Sequence, residues 1–134
     1  MAYITQIQVR FRDTDGLGHV NNATFLSYCE VARLEFYRSH FEVRGPADIP
    51  FILASTHIDY RRPLELEHGP VEVVLTVPRI GNTSWDYDYD IRPAGGGANF
   101  AEAKTVIVSY DYENKATQPI APKLRQLLEA LTPR

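Results

Sequence analysis

A chain of 134 residues, 44% hydrophobic and 23% charged, is the size of one domain with its own core, and residues 1–134 are read as one such domain. With no apolar run near the length of a membrane span and no charged-plus-apolar leader, it is expected to be soluble and cytoplasmic, with no membrane partner. A net charge of -3 gives no general attraction for nucleic acid, and Cys29, the only cysteine, excludes an intramolecular disulfide and a cysteine zinc cluster.

Ile7, Val9 and Phe11 alternate with Gln8 and Arg10, which predicts a half-buried strand over Tyr3 to Phe11. The stretch "DTDGLGHVNN", Asp13 to Asn22, follows as a polar, glycine-containing turn. Beyond Asn22, Phe25, Tyr28, Cys29, Ala32 and Phe36 recur every three or four positions, the pattern of a helix of about four to five turns. Val31, Leu34 and Tyr37 are apolar outside that stripe, so this helix is expected to be covered on several sides. "RGPADIP" breaks the pattern. Strands are then predicted over Phe51 to Tyr60, Val71 to Val77, Ser84 to Ile91 and Phe100 to Tyr110. In the third of these, Trp85, Tyr87, Tyr89 and Ile91 alternate strictly with Asp86, Asp88 and Asp90. "RPAGGGAN" reads as a hairpin loop and "APKLRQLLEAL" as a short terminal helix, with no repeat or linker. A strand, a long helix and a run of antiparallel strands define an α+β domain with the helix lying across a curved sheet. The exposed edge of such a sheet calls for a second copy, so at least a dimer is expected.

The decamer has its own chemistry. The first N–H groups of the helix have no partner within it, and its dipole favours negative charge there, so a carbonyl placed at Asn22 would be polarised. Asp15 lies seven residues earlier, with Gly16 and Gly18 allowing the loop to fold back. A carboxylate beside an electrophilic carbonyl either attacks it or takes a proton from an attacking water, and either route hydrolyses an activated acyl group such as a thioester. The chain contains no Gly-x-Ser-x-Gly elbow, phosphate loop or His-Glu-x-x-His motif. A polar turn and helix cap would use nearly the same residues.

The string "VRFRDTDGLGHVNNATFLSYCEVARLEFY", Val9 to Tyr37, together with "HIDYRRPL" and "VSYDYENKATQPIAPKLR", resembles the hot-dog fold acyl-CoA thioesterases related to 4-hydroxybenzoyl-CoA thioesterase. The resemblance spans nearly the whole chain and is most specific in Asp-x-x-Gly-His-Val-Asn-Asn. It implies a long central helix wrapped by a five- or six-stranded antiparallel sheet, and homodimers or homotetramers whose sites lie between subunits. It also implies Asp15 as the catalytic carboxylate, Asn22 as the source of the carbonyl-polarising backbone N–H, an acyl-CoA substrate, and no metal or redox cofactor. The run is similar as well to plant acyl-carrier-protein thioesterases, whose functional histidine falls on His19. Leu17 stands where those enzymes carry an intervening asparagine, so that set is incomplete. Where the 4-hydroxybenzoyl-CoA enzyme has a basic cluster for the nucleotide phosphates, this chain has "RIGNTS" with only Arg79 basic. Arg79, Arg61 and Arg62 are the candidates for a phosphate grip, and an acyl carrier protein is the alternative source of the thioester.

Asp13 shares the loop with Asp15 but brings no ligand set or sugar groove with it. Asp86, Asp88 and Asp90 point out in parallel from one strand and read as a solvated face rather than a cation site. His57, Asp59 and Arg61 share one strand face and read as a small surface network. Thr83 and Ser84 precede the aromatic strand, and Ser84 is kept as a binding candidate for an attacking water. The expected activity is acyl-CoA thioester hydrolysis; the alternatives are a non-catalytic acyl-CoA or acyl-carrier binding module, an acyl-carrier-protein thioesterase and a dehydratase.

Overall fold

The strictest alternation in the chain builds the middle of the sheet. In β4 (Ser84–Pro93), Trp85, Tyr87, Tyr89 and Ile91 are buried on one face, and Asp86, Asp88 and Asp90 stand half-buried on the other, as a two-residue period requires. β3 (Val71–Ile80) and β5 (Ala101–Asp111) flank it with the same pattern and turn Val71, Val73, Leu75, Ala103 and Ile107 to the same core. β1 (Tyr3–Ile7) and β2 (Phe51–Tyr60) form the two edges of the order β1-β3-β4-β5-β2, with every neighbouring pair antiparallel. The two-residue β6 (Ala116–Thr117) pairs with β5. The structure, a computed structural model, describes residues 1–133.

This strand order dictates where the long helix lies. β1 and β2 are consecutive strands at opposite edges, so the chain between them must cross a whole face of the sheet, and α1 (Asn22–Arg38) makes the crossing. Its buried residues Phe25, Tyr28, Cys29, Ala32 and Phe36 fall at helical spacing on the sheet-facing side. The Asn21 side chain starts the helix by accepting the Ala23 N–H at 2.8 Å. α2 (Pro122–Glu129) opens with Pro122 in its first turn and packs Leu124 and Leu128 beside β3.

The structure departs from the sequence-based expectations in three places. β1 ends at Ile7 rather than Phe11: Val9 is still buried, but Phe11 is 79% exposed at the start of a 3-10 turn, Phe11–Asp13. That turn wins over strand continuation because the Arg10 N–H donates to the Asp13 carboxylate at 2.9 Å. β3 runs on past Val77 to Ile80, with a register shift between Thr76 and Arg79 that accommodates Pro78, which has no ladder donor. Finally, α1, expected to be covered on several sides, packs chiefly against β1 and β3, burying Tyr37 but leaving Val31 41% exposed. It meets β2 through Phe25 against Tyr60 and Tyr37 against Phe51, at ring separations of 5.4 and 5.1 Å. Between these contacts Leu26, Leu53 and Thr56 stay exposed, and a groove runs between helix and strand.

Ala32 has no exposed surface on the buried side of α1. Ala32→Leu is expected to overpack this contact and lower stability by about 1–3 kcal/mol, read as a shift of the urea midpoint at unchanged slope.

Candidate active site

The β1–α1 loop is a small hairpin held by its own backbone. The Asp15 N–H donates to the His19 carbonyl at 2.8 Å and the Gly18 N–H to the Asp15 carbonyl at 3.1 Å, with Thr14 and Val20 paired at the base. Gly18 has φ of +81°, where a side chain is strained, while Gly16 has neither a positive φ nor a close neighbour. Of the two glycines, Gly18 is therefore the one the hairpin requires. The Val20 N–H donates to the Leu64 carbonyl at 2.7 Å and His19 pairs with Glu65, which stitches the hairpin to the segment after β2.

Two aspartates two residues apart have different surroundings. Asp13 is half-buried and structural: Oδ2 accepts from the Arg10 N–H at 2.9 Å and from the Tyr28 hydroxyl at 2.6 Å, and its carbonyl accepts the Asn21 N–H at 2.8 Å. Burial, and then the Asp13 carboxylate itself, push the Tyr28 hydroxyl well above the usual tyrosine range, so it remains a donor. Asp15 is exposed. Its Oδ1 accepts the Leu17 N–H at 2.8 Å, and among the described residues Oδ2 has no partner.

The helix start supplies the complementary group. The Ala23 N–H is taken by the Asn21 side chain and the Thr24 N–H by the Asn21 carbonyl at 2.9 Å, whereas among the described residues nothing accepts from the Asn22 N–H. Asp15, His19, Asn22, Phe25, Tyr60 and Arg61 line one open cleft of about 460 Å³. An unpaired N–H at the positive end of a 17-residue helix thus shares a cleft with an unpaired carboxylate oxygen, which is the arrangement carboxylate-driven acyl transfer requires. Tyr60, to which the sequence reading assigned no role, donates its hydroxyl to the Asn22 carbonyl at 2.9 Å and fixes the cleft wall. An aromatic residue at the end of a strand gives no signal of that contact.

The other candidates fall in different places. Arg61 lines the cleft half-exposed, with its guanidinium 3.1 Å from Glu102. Arg62 also lines it, but its guanidinium lies 4.0 Å from the Phe100 ring centre and donates to the Ala98 and Asn99 carbonyls, a structural use. Arg79 and Ser84 sit at the β3–β4 turn, where Arg79 bonds Asp86 and the Ser84 hydroxyl. Ser84 pairs with Val108, beside Ile52 of β2, so within one chain both residues lie at the opposite end of the sheet from Tyr60. His57 and Asp59 join Arg61 in a network on the outer sheet face. There a second hollow of about 440 Å³ is lined by His57, Asp59, Asp88, Asp90, Glu102 and Lys104. Asp86 and Asp88 are paired with Arg79 and Lys104, and Asp90 accepts from Asn99. Among the described residues no group of three or more His, Cys, Asp or Glu converges as a metal site, and no helix is long and apolar enough to cross a membrane.

One long helix wrapped by an antiparallel sheet, with a carboxylate loop at the helix start, is the hot-dog architecture. The chain belongs to the thioesterase-like superfamily, whose family profile matches residues 9–128. It is 27% identical to the long-chain acyl-CoA thioesterase FadM of Escherichia coli, over 95% of this chain and 97% of that one. A predicted thioesterase from Bacillus stearothermophilus superposes with a TM-score of 0.89 at 25% identity, covering 100% of this chain and 98% of that one. A thioesterase from Thermus thermophilus, solved with coenzyme A and Zn, gives a TM-score of 0.82 at 31% identity, covering 98% of this chain and 94% of that one.

Removing the Tyr28 hydroxyl leaves the Asp13 carboxylate with one donor fewer. Tyr28→Phe is expected to cost about 1.5–3 kcal/mol, the range for a hydrogen bond to a charged group. Chemical denaturation measures it, with an unchanged far-ultraviolet dichroism spectrum establishing that the fold is retained.

Proposed function

We propose that the protein hydrolyses acyl-CoA thioesters to the free acid and coenzyme A, with Asp15 and the Asn22 N–H as its working groups. The observation that carries this reading is the cleft shared by the unpaired Asn22 N–H and the free oxygen of Asp15. The thioester carbonyl oxygen accepts from Asn22, and charge that develops on it is met by a donor already in place and by the helix dipole. Asp15 then acts in one of two ways. It attacks the carbonyl carbon, expels the thiolate and leaves a mixed anhydride that water cleaves, or it takes a proton from a water that attacks instead. His19 lines the same cleft and helps position the substrate. The FadM and Thermus proteins, named for acyl-CoA hydrolysis and for a coenzyme A complex, support the choice of carrier over an acyl carrier protein.

The functional unit in this reading is a dimer of one-domain chains in the cytoplasm, where a lone buried cysteine stays reduced. β2 is an edge strand with a free side over Phe51–Tyr60, and antiparallel pairing of two such edges continues the sheet. That pairing reverses the second copy, so its Phe51 end lies beside Tyr60 of the first. Arg79 and Ser84 of the second copy then approach the cleft that they do not reach within their own chain. Arg61 at the cleft, with Arg79 from the second copy, meets the nucleotide phosphates, and Ser84 holds the attacking water.

Free thiol release from a panel of aliphatic and aromatic acyl-CoAs tests the activity. Asp15→Asn is expected to lower kcat by about 10²–10⁴-fold, and unchanged turnover would remove Asp15 from the mechanism. Single-turnover hydrolysis in ¹⁸O-water tests the anhydride route, because label enters Asp15 only when water cleaves a mixed anhydride at the aspartyl carbonyl carbon. Saturable acyl-CoA binding with no thiol released would favour a binding module instead. Sedimentation equilibrium is expected to give two copies, or a multiple of two, per particle; a fully active monomer would sink the shared-site arrangement.

A further inference from the structure

We propose that the groove leading from the Asn22 cleft along α1 ends in a carboxylate-binding subsite built on Arg33, and that the preferred acyl groups are medium-length chains with a terminal carboxylate. The inference rests on the thioesterase reading, which places the reacting carbonyl at the Asn22 end.

Asn22, Leu26, Glu30 and Arg33 follow one another at steps of four, four and three residues, and so share one helix face. The facing wall is β2, where Leu53 and Thr56 are exposed although they point to the helix side of the sheet. Between them lies a hollow of about 160 Å³ lined by Leu26, Cys29, Glu30, Arg33, Thr56 and Thr105. Leu26 of its lining stands one helical turn beyond Asn22 of the cleft, on the same face of α1.

Arg33 is the unusual member of this lining. It is only 9% exposed, yet among the described residues no carboxylate or carbonyl accepts a hydrogen bond from its guanidinium. Its nearest carboxylate is Glu30 at 3.7 Å, and that side chain is 62% exposed and solvated. A guanidinium has five donors and no acceptor, and burying it without partners is unfavourable. The Tyr89 hydroxyl is within hydrogen-bonding reach of the guanidinium, but it is shared with Thr105 at 2.6 Å and meets at most one of the five donors. A carboxylate arriving along the groove offers two acceptor oxygens in the fork geometry that guanidinium matches. A plain alkyl end would instead strip water from the charge and return nothing. Asn22 and Arg33 are eleven residues apart, about 16 Å along the helix axis, and helical side chains lean toward the N-terminus, which shortens the span. A medium-length diacid fits it.

Two eight-carbon substrates, suberoyl-CoA and octanoyl-CoA, differ by the terminal carboxyl. Wild-type protein is expected to favour suberoyl-CoA in kcat/KM by roughly tenfold or more, in line with a hydrogen bond to a charged group. Arg33→Met should bring that ratio to near one, mostly through KM, and Arg33→Lys, which keeps the charge and loses the fork, should fall between. Calorimetric titration with free suberate, compared with octanoate, reads the subsite without turnover and should show binding lost in Arg33→Met. If Arg33→Met does not fold, Arg33→Lys and the wild-type comparison still decide. Octanoyl-CoA turned over as well as suberoyl-CoA, with no suberate binding, overturns the subsite and leaves the thioesterase reading standing. Suberate binding without hydrolysis of any thioester does the reverse. A ratio unchanged in Arg33→Met, with the dimer dissociated, overturns the subsite and assigns Arg33 to a carboxylate of a second copy.

Discussion

The carboxylate of Asp13 is the constraint on which the site depends. It takes the Arg10 N–H and the Tyr28 hydroxyl, while its own carbonyl takes the Asn21 N–H. One residue thus joins the chain leaving β1, the cap of α1 and the second turn of that helix. With those points tied, the intervening residues have to leave the helix axis as a hairpin, and Asp15 stands on its stem. The two aspartates could not exchange these tasks. Asp13 is held by a buried tyrosine and does not line the cleft, whereas Asp15 stands exposed on the cleft wall. Tyr28 enforces the division, since burial and the neighbouring charge keep its hydroxyl protonated.

The second constraint is topological. Consecutive strands at opposite sheet edges oblige α1 to cross the sheet, and its apolar stripe seats it toward β1 and β3. The β2 side is left unfilled along the helix, with aromatic contacts only at its two ends. That gap leaves a hollow of about 160 Å³ between helix and strand toward the middle of the sheet. A helix centred over the strands would have closed the hollow and buried more apolar area, so the off-centre seat gives up stability for access.

Much of this was legible in the sequence because it is local. Alternation in "SWDYDYDI" and the three-to-four spacing from Phe25 to Phe36 are enforced by strand and helix periods, and both elements form where the periods put them. Juxtaposition of Asp15 and the helix start was also local, a matter of one loop and its glycine. The failures come from particular side-chain contacts, near and far along the chain, that periodicity does not register. β1 stops at Ile7 because a side chain three residues beyond Arg10 captures its N–H, which alternation does not register. Arg62 looked free for phosphate and is instead stacked on Phe100, thirty-eight residues further on. Arg33 reads in the sequence as one of the polar positions between apolar ones; only its burial, with a single solvated carboxylate 3.7 Å away, sets it apart once the sheet is in place.

Rigidity links the two ends of the groove. The orphan N–H of Asn22 and the guanidinium of Arg33 belong to one helix of 17 residues, whose hydrogen-bonded backbone holds their separation more firmly than a loop could. Selection by such a device is set by helix pitch. A residue one turn earlier or later on the same face moves the cation by about 5.4 Å, while a shift to a neighbouring position rotates it out of the groove altogether. The accepted acyl length can therefore change only in coarse steps along this face. The opposite wall, Leu53 and Thr56 on an edge strand, can vary in width without disturbing either end. In this architecture length is read by α1 and girth by β2, and the two are separable because the aromatic contacts between helix and strand lie at the two ends of the groove.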